Sequence, residues 1–427
     1  MLKDKLSELK SFGDLKTVLK NFISLSIIQG LDMFLPLLTV PYLIRVIGVE
    51  KVGLLAFVGA IVGYFGILMN YGFSLTATKD ISQSSDDHLK VQEIFNIVFT
   101  AKNYLILISF IILILLLFIV PSMMVYWNIY LISFGTIVFL NVTPSWYFQG
   151  IQQLKFLTLC NILSKIFFTI LVFVFINDEY DFWMVPTFTL LGAFFTAVFT
   201  LIYIVKRHQL RIRFANIKEV VAQYDKGKFI FLSQIKISFF SNFNILILGI
   251  VLGNSAVGLF SSADKIIKVM SALQIPIVSA LFPYFSKLFK DNITQAFLYI
   301  KKVAIYGSIV YLILIMIVFI FSNYISSIFF GSELHQIPNI IRILCFIPLF
   351  VFLNNLYGTQ TLLNLNYDKK FLMNMIIAAL INCILLYPLI KIFGIEGAAY
   401  SILITEAYLF IGMYLSSQKV KNKINHD

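Results

Sequence analysis

The chain has 427 residues, of which 59% are hydrophobic and 13% charged, against about 25% charged in soluble domains. Its mean hydropathy of +0.90 excludes a soluble globular fold of this size. Apolar runs such as 104–120, in which Ser109 is the one polar interruption, exclude a β-barrel, whose strands need only about ten alternating residues.

Residues 1–20 place Leu2, Leu6, Leu9 and Phe12 at helical spacing among lysines, the pattern of a short amphipathic helix on the cytoplasmic face. No short apolar core with a small-residue cleavage site follows, so a cleaved signal peptide is not expected. Twelve apolar spans are expected near 22–46, 53–78, 96–119, 126–149, 157–176, 183–205, 229–251, 256–285, 303–321, 339–364, 371–393 and 396–416. Each meets the length of about 20 residues that a bilayer asks of a helix. Pro36 and Pro41 in the first span, and Pro276 and Pro283 in the eighth, are expected to break helical hydrogen bonds. The cysteines Cys160, Cys345 and Cys383 sit alone in apolar runs and read as packed thiols. All four histidines lie in loops or the tail, so neither a metal site nor a cofactor is expected.

Lysine and arginine distribution orients the spans. With both termini in the cytoplasm, 25 of the 33 basic residues fall in inner tails and loops, counting Lys79 and Lys102 with the loop whose helix ends they flank. Only Arg45, Lys51, Arg342 and Lys391 fall outside. This is the positive-inside pattern, and it absorbs the net charge of +12 without nucleic acid. The longest basic loop, 206–228, separates two halves of six spans each, so the expected division is a segment 1–20, a bundle 21–205, the linker 206–228, a bundle 229–416 and a tail 417–427. Halves with an even number of spans share one orientation and form parallel repeats, with a central cavity between them.

The sequence repeats itself at that interval. Gly48, Val52, Gly53 and Leu54 match Gly253, Val257, Gly258 and Leu259 at an offset of 205. A looser echo joins 146–156 to 357–371, through Gln149 and Gln360 and through Lys155-Phe156 and Lys370-Phe371.

Ionisable groups inside a bilayer are functional candidates. Asp32, Lys165, Lys236, Asp264, Lys265, Lys268 and Glu406 fall well inside spans. At the repeat offset, Asp264, Lys265 and Lys268 align with Gly59, Ala60 and Gly63, so one half offers charge where the other offers small residues. Asp264 and Lys268 are also spaced to pair with each other, Lys165 to snorkel, and Glu406 to meet a lysine. Arg45 suits either a phosphate contact or a helix C-terminal cap. Trp146 suits interfacial anchoring or sugar stacking. Gln29, Asn70, Gln149, Gln152, Asn242, Asn244, Gln274, Asn354 and Gln360 are amides suited to sugar hydroxyls or to neighbouring helices.

The run 36–48, PLLTVPYLIRVIG, with Val52-Gly53 after it, resembles the start of Wzx-type O-antigen flippases, polysaccharide-biosynthesis transporters of the multidrug/oligosaccharidyl-lipid/polysaccharide exporter superfamily. The stretches 146–152 and 244–258 extend the resemblance over most of the chain. Related lipid II flippases usually carry fourteen spans, and the twelve expected here disfavour that branch. The resemblance implies an inner-membrane flippase, not an enzyme, that moves a polyprenyl-diphosphate-linked oligosaccharide between leaflets, among membrane lipid and other polysaccharide-assembly membrane proteins. Coupling to H+ or Na+ is implied through Asp32, since related exporters place a proton-linked aspartate in their first helix, with Asp264 and Glu406 as further acids. Substrate contacts are expected from Lys236, Lys265, Lys268, Arg45, Lys165, Gln149, Trp146 and Asn244. A drug or metabolite antiporter of the same superfamily is the alternative; a membrane glycosyltransferase or polymerase fits less well, because no outer loop is long enough for a catalytic domain.

Overall fold

The computed structural model describes the backbone of residues 2–331 and 334–426. Side chains are described over 37–228, 242–275, 284–331 and 334–424, and at Gly30, Leu35, Phe231, Val278, Leu281 and Phe282. The described chain is helical, without strands. Nine helices among the described residues are long and apolar enough to cross a bilayer, one of them the bent stretch Leu37–Gln83, which takes in parts of the first two expected spans. A shorter apolar helix covers Asn242–Leu252. Twelve crossings remain the expectation of the sequence.

The first helix, α1 (Leu2–Asn70), passes through Pro41 without a break and leaves helical geometry only at Gly48. The turn therefore lies at the glycine, between the first two expected spans (22–46 and 53–78), and not at Pro41, which stands within continuous helix. After it come α2 (Phe73–Gln83), α3 (His88–Ile119), α4 (Pro121–Met124), α5 (Trp127–Val142), α6 (Ser145–Gly150), α7 (Leu154–Phe175), a 3-10 turn (Glu179–Trp183) and α8 (Met184–Arg207). The later elements are α9 (Ile217–Leu252), α10 (Asn254–Ala272), α11 (Gln274–Asp291), α12 (Ile293–Ile320), α13 (Ser322–Phe330), α14 (Ile337–Leu344), α15 (Ile347–Asn354), a π-helical segment (Asn355–Leu363), α16 (Asp368–Phe393) and α17 (Ile395–His426). Two compact units result: 1–35 with 58–238, and 36–57 with 239–427.

In the first unit the buried core gathers at one end of the bundle. Phe73, Ile81, Phe95, Trp146, Phe148, Ile204 and Val220 pack together there, where α2 crosses α6. Mid-helix residues such as Leu107, Ile111 and Leu115 are exposed. The contrast follows from the solvent: lipid tails are as apolar as leucine and give mid-membrane side chains no drive to cluster, whereas water does.

The basic linker belongs to this unit. Residues 208–216 run without helix along α3. Gln92 donates to the Arg211 carbonyl at 2.6 Å and accepts from the Arg211 amide at 2.5 Å. The Arg213 amide donates to Asn96 at 3.0 Å, and the Ala215 amide to the Thr100 hydroxyl at 2.9 Å. The register is metric. Four helical residues rise about 6 Å and two extended residues about 6.6 Å, so every fourth side chain of α3 meets every second amide of the strap. His88 Nε2 bonds the His208 carbonyl at 2.9 Å. The His208 ring lies against Tyr147 and Tyr203, with its own Nε2 buried and unbonded.

In the second unit, Phe285, Phe289, Phe297, Ile300, Phe352 and Leu356 form the corresponding core. Its defining contact joins the two copies of the sequence repeat. Gly48 (φ 81°, ψ 159°) and Gly253 (φ 83°, ψ −177°) share one conformation, in a region open essentially to glycine alone. Five residues past each turn the backbones touch: a Cβ on Gly53 would strike the Asn254 carbonyl, and one on Gly258 would strike the Val49 carbonyl. Val49 and Asn254 are themselves 205 residues apart, so the contact is reciprocal and maps onto itself under the repeat.

The looser echo also has a structural counterpart. The expected fourth span breaks at Thr143–Pro144, before α6, and the tenth passes from α15 into the π-helical segment. Each then closes on a residue with positive φ, Gln152 at 56° and Asn366 at 60°. A bond five residues back follows in both, Gln153 N to Phe148 O at 2.9 Å and Tyr367 N to Leu362 O at 2.8 Å. The expected eighth span is split between α10 and α11 at Leu273.

Two measurements check this architecture. Gly53→Ala and Gly258→Ala should each destabilise the purified protein by about 1–3 kcal/mol, the usual cost of overpacking. Gly59→Ala, with open space around it, should be neutral or mildly stabilising; equal effects at Gly53 and Gly59 would contradict the crossing. The linker is tested by limited trypsin cleavage at Arg211 and Arg213. Burial, then the nearby charges of Arg207 and His88, holds the His208 imidazole below its ordinary value. The unfolded strap then binds the proton more readily than the docked one. Docking stability is full above about pH 6.5 and declines as the pH falls below it. Cleavage, corrected for the protease's own pH dependence, should be faster at pH 5.5 than at 7.5. His208→Asn should flatten that dependence, and Gln92→Ala with Asn96→Ala should speed cleavage at both.

Candidate functional site

The richest set of charges inside the membrane helices is on α10. One face of this helix buries Ala256, Val257, Phe260, Ala263, Ile267 and Met270. Asp264, Lys265 and Lys268 lie about 16–22 Å along the helix from Gly253 at 1.5 Å per residue, and are less completely buried than that face. Lys268 Nζ lies 2.6 Å from the Asp264 carboxylate, with Asp264 largely covered and Lys268 largely exposed. Lys265 is half-buried and has no ion pair or hydrogen bond among the described residues. The pairing therefore consumes the acid and one lysine, and leaves one cation on α10 uncompensated.

A second polar centre sits where α15 gives way to the π-helical segment. Asn354 Nδ2 donates to the Glu406 carboxylate of α17 at 2.6 Å, and Asn354 Oδ1 is buried without a partner among the described residues. Glu406 meets no lysine among the described residues, contrary to one of the readings of the sequence. A π-helical turn leaves backbone groups out of regular register and is common at functional sites. Here it also carries Gln360, fully buried, whose amide donates to the Val278 carbonyl at 3.0 Å. Nearby amide-hydroxyl pairs, Asn382 with Ser401 at 3.1 Å and Asn374 with Ser416 at 2.9 Å, join α16 to α17 and serve as interhelical glue.

The remaining expected contacts are dispersed. Arg45 donates to the Ile328 carbonyl at 2.6 Å, in the last turn of α13. It caps a helix C-terminus, as one of its two readings required, though of a helix distant in sequence. Trp146 is 2% exposed and lies against Phe95 and Tyr147. It is core, neither an interfacial anchor nor a stacking surface, because α6 turns inward against α2. Gln149, three residues on, is exposed. Lys165 is half-buried on α7 and Asn244 buried on α9. Asp32, Lys236 and Gln29 lie outside the described side chains. No cluster of metal-binding side chains occurs among the described residues.

Lys102 escaped the sequence reading, which counted it with an inner loop. Its side chain is 6% exposed, and its ammonium donates to the Asn141 carbonyl at 2.9 Å. Asn141 is in the last turn of α5, so the cation meets the negative end of that helix. Nothing in the sequence around Lys102 signals this, because its partner is a backbone group 39 residues away.

Comparison with known proteins places this architecture. The family described as "Polysaccharide biosynthesis protein" matches residues 18–289. A relative from Escherichia coli (strain K12), named "Putative O-antigen transporter", is 30% identical over 391 residues, covering 91% of this chain and 93% of the relative. Among solved structures, an inward-facing multidrug resistance MATE family transporter of the MOP superfamily superposes with a TM-score of 0.74 at 16% identity, over 94% of this chain and 99% of that one. The lipid II flippase MurJ in an inward closed conformation gives 0.72 at 13% identity, over 94% and 87%. The fold is thus the all-helical membrane fold shared by these transporters, and the chain belongs to the polysaccharide biosynthesis protein family.

Proposed function

We propose that this chain is a flippase that carries a polyprenyl-diphosphate-linked oligosaccharide across the bacterial inner membrane, with both termini in the cytoplasm. Its family, its O-antigen transporter relative and its transporter fold all support a carrier and not an enzyme. The geometric observation that carries the substrate assignment is Lys265. A diphosphate leaving water needs cations to replace its hydration. Charge-assisted hydrogen bonds from ammonium groups supply them, and α10 offers one that Asp264 does not neutralise. Lys236 and Lys165 complete the proposed cationic set, with Arg45 toward the outer end of the first span. Exposed Gln149 and buried Asn244 are proposed to meet sugar hydroxyls. An antiporter for cationic drugs would call for the opposite charge at α10. Contact with other polysaccharide-assembly membrane proteins is part of the same reading.

Ion coupling is proposed to run through Glu406. Asp264 is held by Lys268 at 2.6 Å, whereas Glu406 has a single amide donor among the described residues, from Asn354, whose own carbonyl oxygen is buried. That arrangement suits binding and release of H+ or Na+. Asp32 is the corresponding acid proposed for the first half.

The assay is transfer of a defined lipid-linked oligosaccharide in sealed vesicles, read as sugar exposed to an impermeant lectin. Lys265→Ala should insert normally and transfer at least about tenfold more slowly, the loss of one charge-assisted bond of about 1.5–3 kcal/mol. Lys265→Arg should keep part of the rate, because the demand is for charge more than shape. Parental transfer by Lys265→Ala would remove the α10 site. Separately, Glu406→Gln should abolish the response of transfer to an imposed H+ or Na+ gradient while the protein stays in the membrane, and Asp32→Asn should do the same. An unchanged gradient response in both would exclude coupling through these acids.

A further inference from the structure

A groove of about 740 Å³ opens in the second unit between α12 and α17. Both helices pack on α15 and the π-helical segment, so Leu353 and Tyr357 form the floor of the groove. Its lining changes character along its length. At one end are Thr294, Phe297 and Lys301 of α12 with Lys421 and Gln418 of α17; beyond them the walls are mainly apolar and aromatic, through Ile305, Ile309, Phe410 and Tyr414, with Ser308 among them. Lys421 Nζ sits 5.7 Å from the centre of the Phe297 ring, one turn from Lys301 on α12, so both lysines lie at the same end of the groove. Among the described residues no acidic side chain lines the groove, and neither lysine has a carboxylate partner.

The dimensions match one leaflet. Lys301 to Ile309 spans about 12 Å and Lys421 to Phe410 about 16 Å at 1.5 Å per residue. Half of a hydrocarbon core is about 15 Å. A cationic mouth therefore lies one leaflet's depth from the far end of an apolar trough. Lys302, Lys419 and Lys423 neighbour the mouth in sequence and add to the attraction for anionic headgroups.

We propose that this groove binds an anionic phospholipid, its phosphate held by Lys301 and Lys421 and its chains lying along Phe297, Ile305, Tyr357, Phe410 and Tyr414. The site is separate from the charges on α10 and does not depend on which substrate the protein carries. Charge selects the headgroup, because a zwitterionic lipid offers the same chains without the net negative charge the lysines recruit. The trough selects a lipid over a free anion, because the apolar walls gain nothing from a phosphate alone. Occupancy would brace α12 against α17 through their shared floor, one residue from Asn354.

The test uses the purified full chain, stripped of lipid in detergent, with binding read by native mass spectrometry and by thermal stabilisation. Phosphatidylglycerol should bind and stabilise; phosphatidylcholine with the same chains should bind at least about tenfold more weakly, and glycerol 3-phosphate should not register. Lys301→Gln with Lys421→Gln should weaken phosphatidylglycerol binding about thirtyfold, the effect of removing two surface lysines from an anionic lipid. Lys287→Gln with Lys290→Gln, exposed on α11 and outside the groove, should change it less than twofold. Ala304→Trp, which fills the trough and keeps both charges, should also weaken it. Equal binding of the two phospholipids, equal effects of the two lysine pairs, or preferential retention of a polyprenyl phosphate over phosphatidylglycerol would each overturn the proposal.

Discussion

Two stretches of backbone come within contact distance where Gly53 meets Asn254 and Gly258 meets Val49, and the organisation of the chain depends on that approach. It requires four glycines in two roles. Gly48 and Gly253 supply a conformation that side-chain-bearing residues avoid, which redirects the chain after the first span of each repeat. Gly53 and Gly258 supply the missing Cβ atoms that let carbonyls sit against the opposite helix. Small residues at such a contact are how membrane helices gain close packing when lipid offers no hydrophobic drive. The contact also explains why 36–57 belongs with 239–427 and not with its sequence neighbours.

The same physics divides apolar residues between two roles. Along α3 and α12, residues such as Ile111, Leu115, Ile313 and Ile317 are exposed because lipid is their solvent. At the ends of the bundles, Phe95 and Phe148 in one unit and Phe285 and Phe289 in the other are buried because aqueous solvent penalises them. Against that background, buried charge is informative. Lys102 answers to a helix terminus, Asp264 to Lys268 and Glu406 to an amide, while Lys265 has no ion pair or hydrogen bond among the described residues. A membrane helix that keeps such a cation bears a standing cost of a few kcal/mol, which a negatively charged substrate would offset.

Much of this was legible in the residues alone. Apolar runs gave the helices, and the Gly48 and Gly253 turns gave the repeat. The spacing of Asp264 and Lys268 gave their pairing, since a one-turn separation brings the two side chains together. What the sequence hid were contacts made by backbone. The capping of α13 by Arg45 involves a carbonyl 283 residues away, and the docking of 208–216 on α3 uses amides that every residue possesses. Trp146 misled for a related reason: its place near a helix end is true, but α6 folds that end into the core. Periodicity reports which face is apolar; it does not report which partner the backbone will meet.

The central claim is that the two copies of the repeat meet each other, and one cross-linking experiment addresses it directly. Cysteines introduced at Val49 and Asn254, in a background where Cys160, Cys345 and Cys383 are replaced by alanine, lie on opposite sides of the crossing. The two thiols should be joined rapidly by a short bifunctional reagent in native membranes, whereas a control pair at Val49 and Asn292 should not. Failure of the first pair to link, with both thiols shown to react singly, would contradict the reciprocal glycine contact and the repeat architecture built on it.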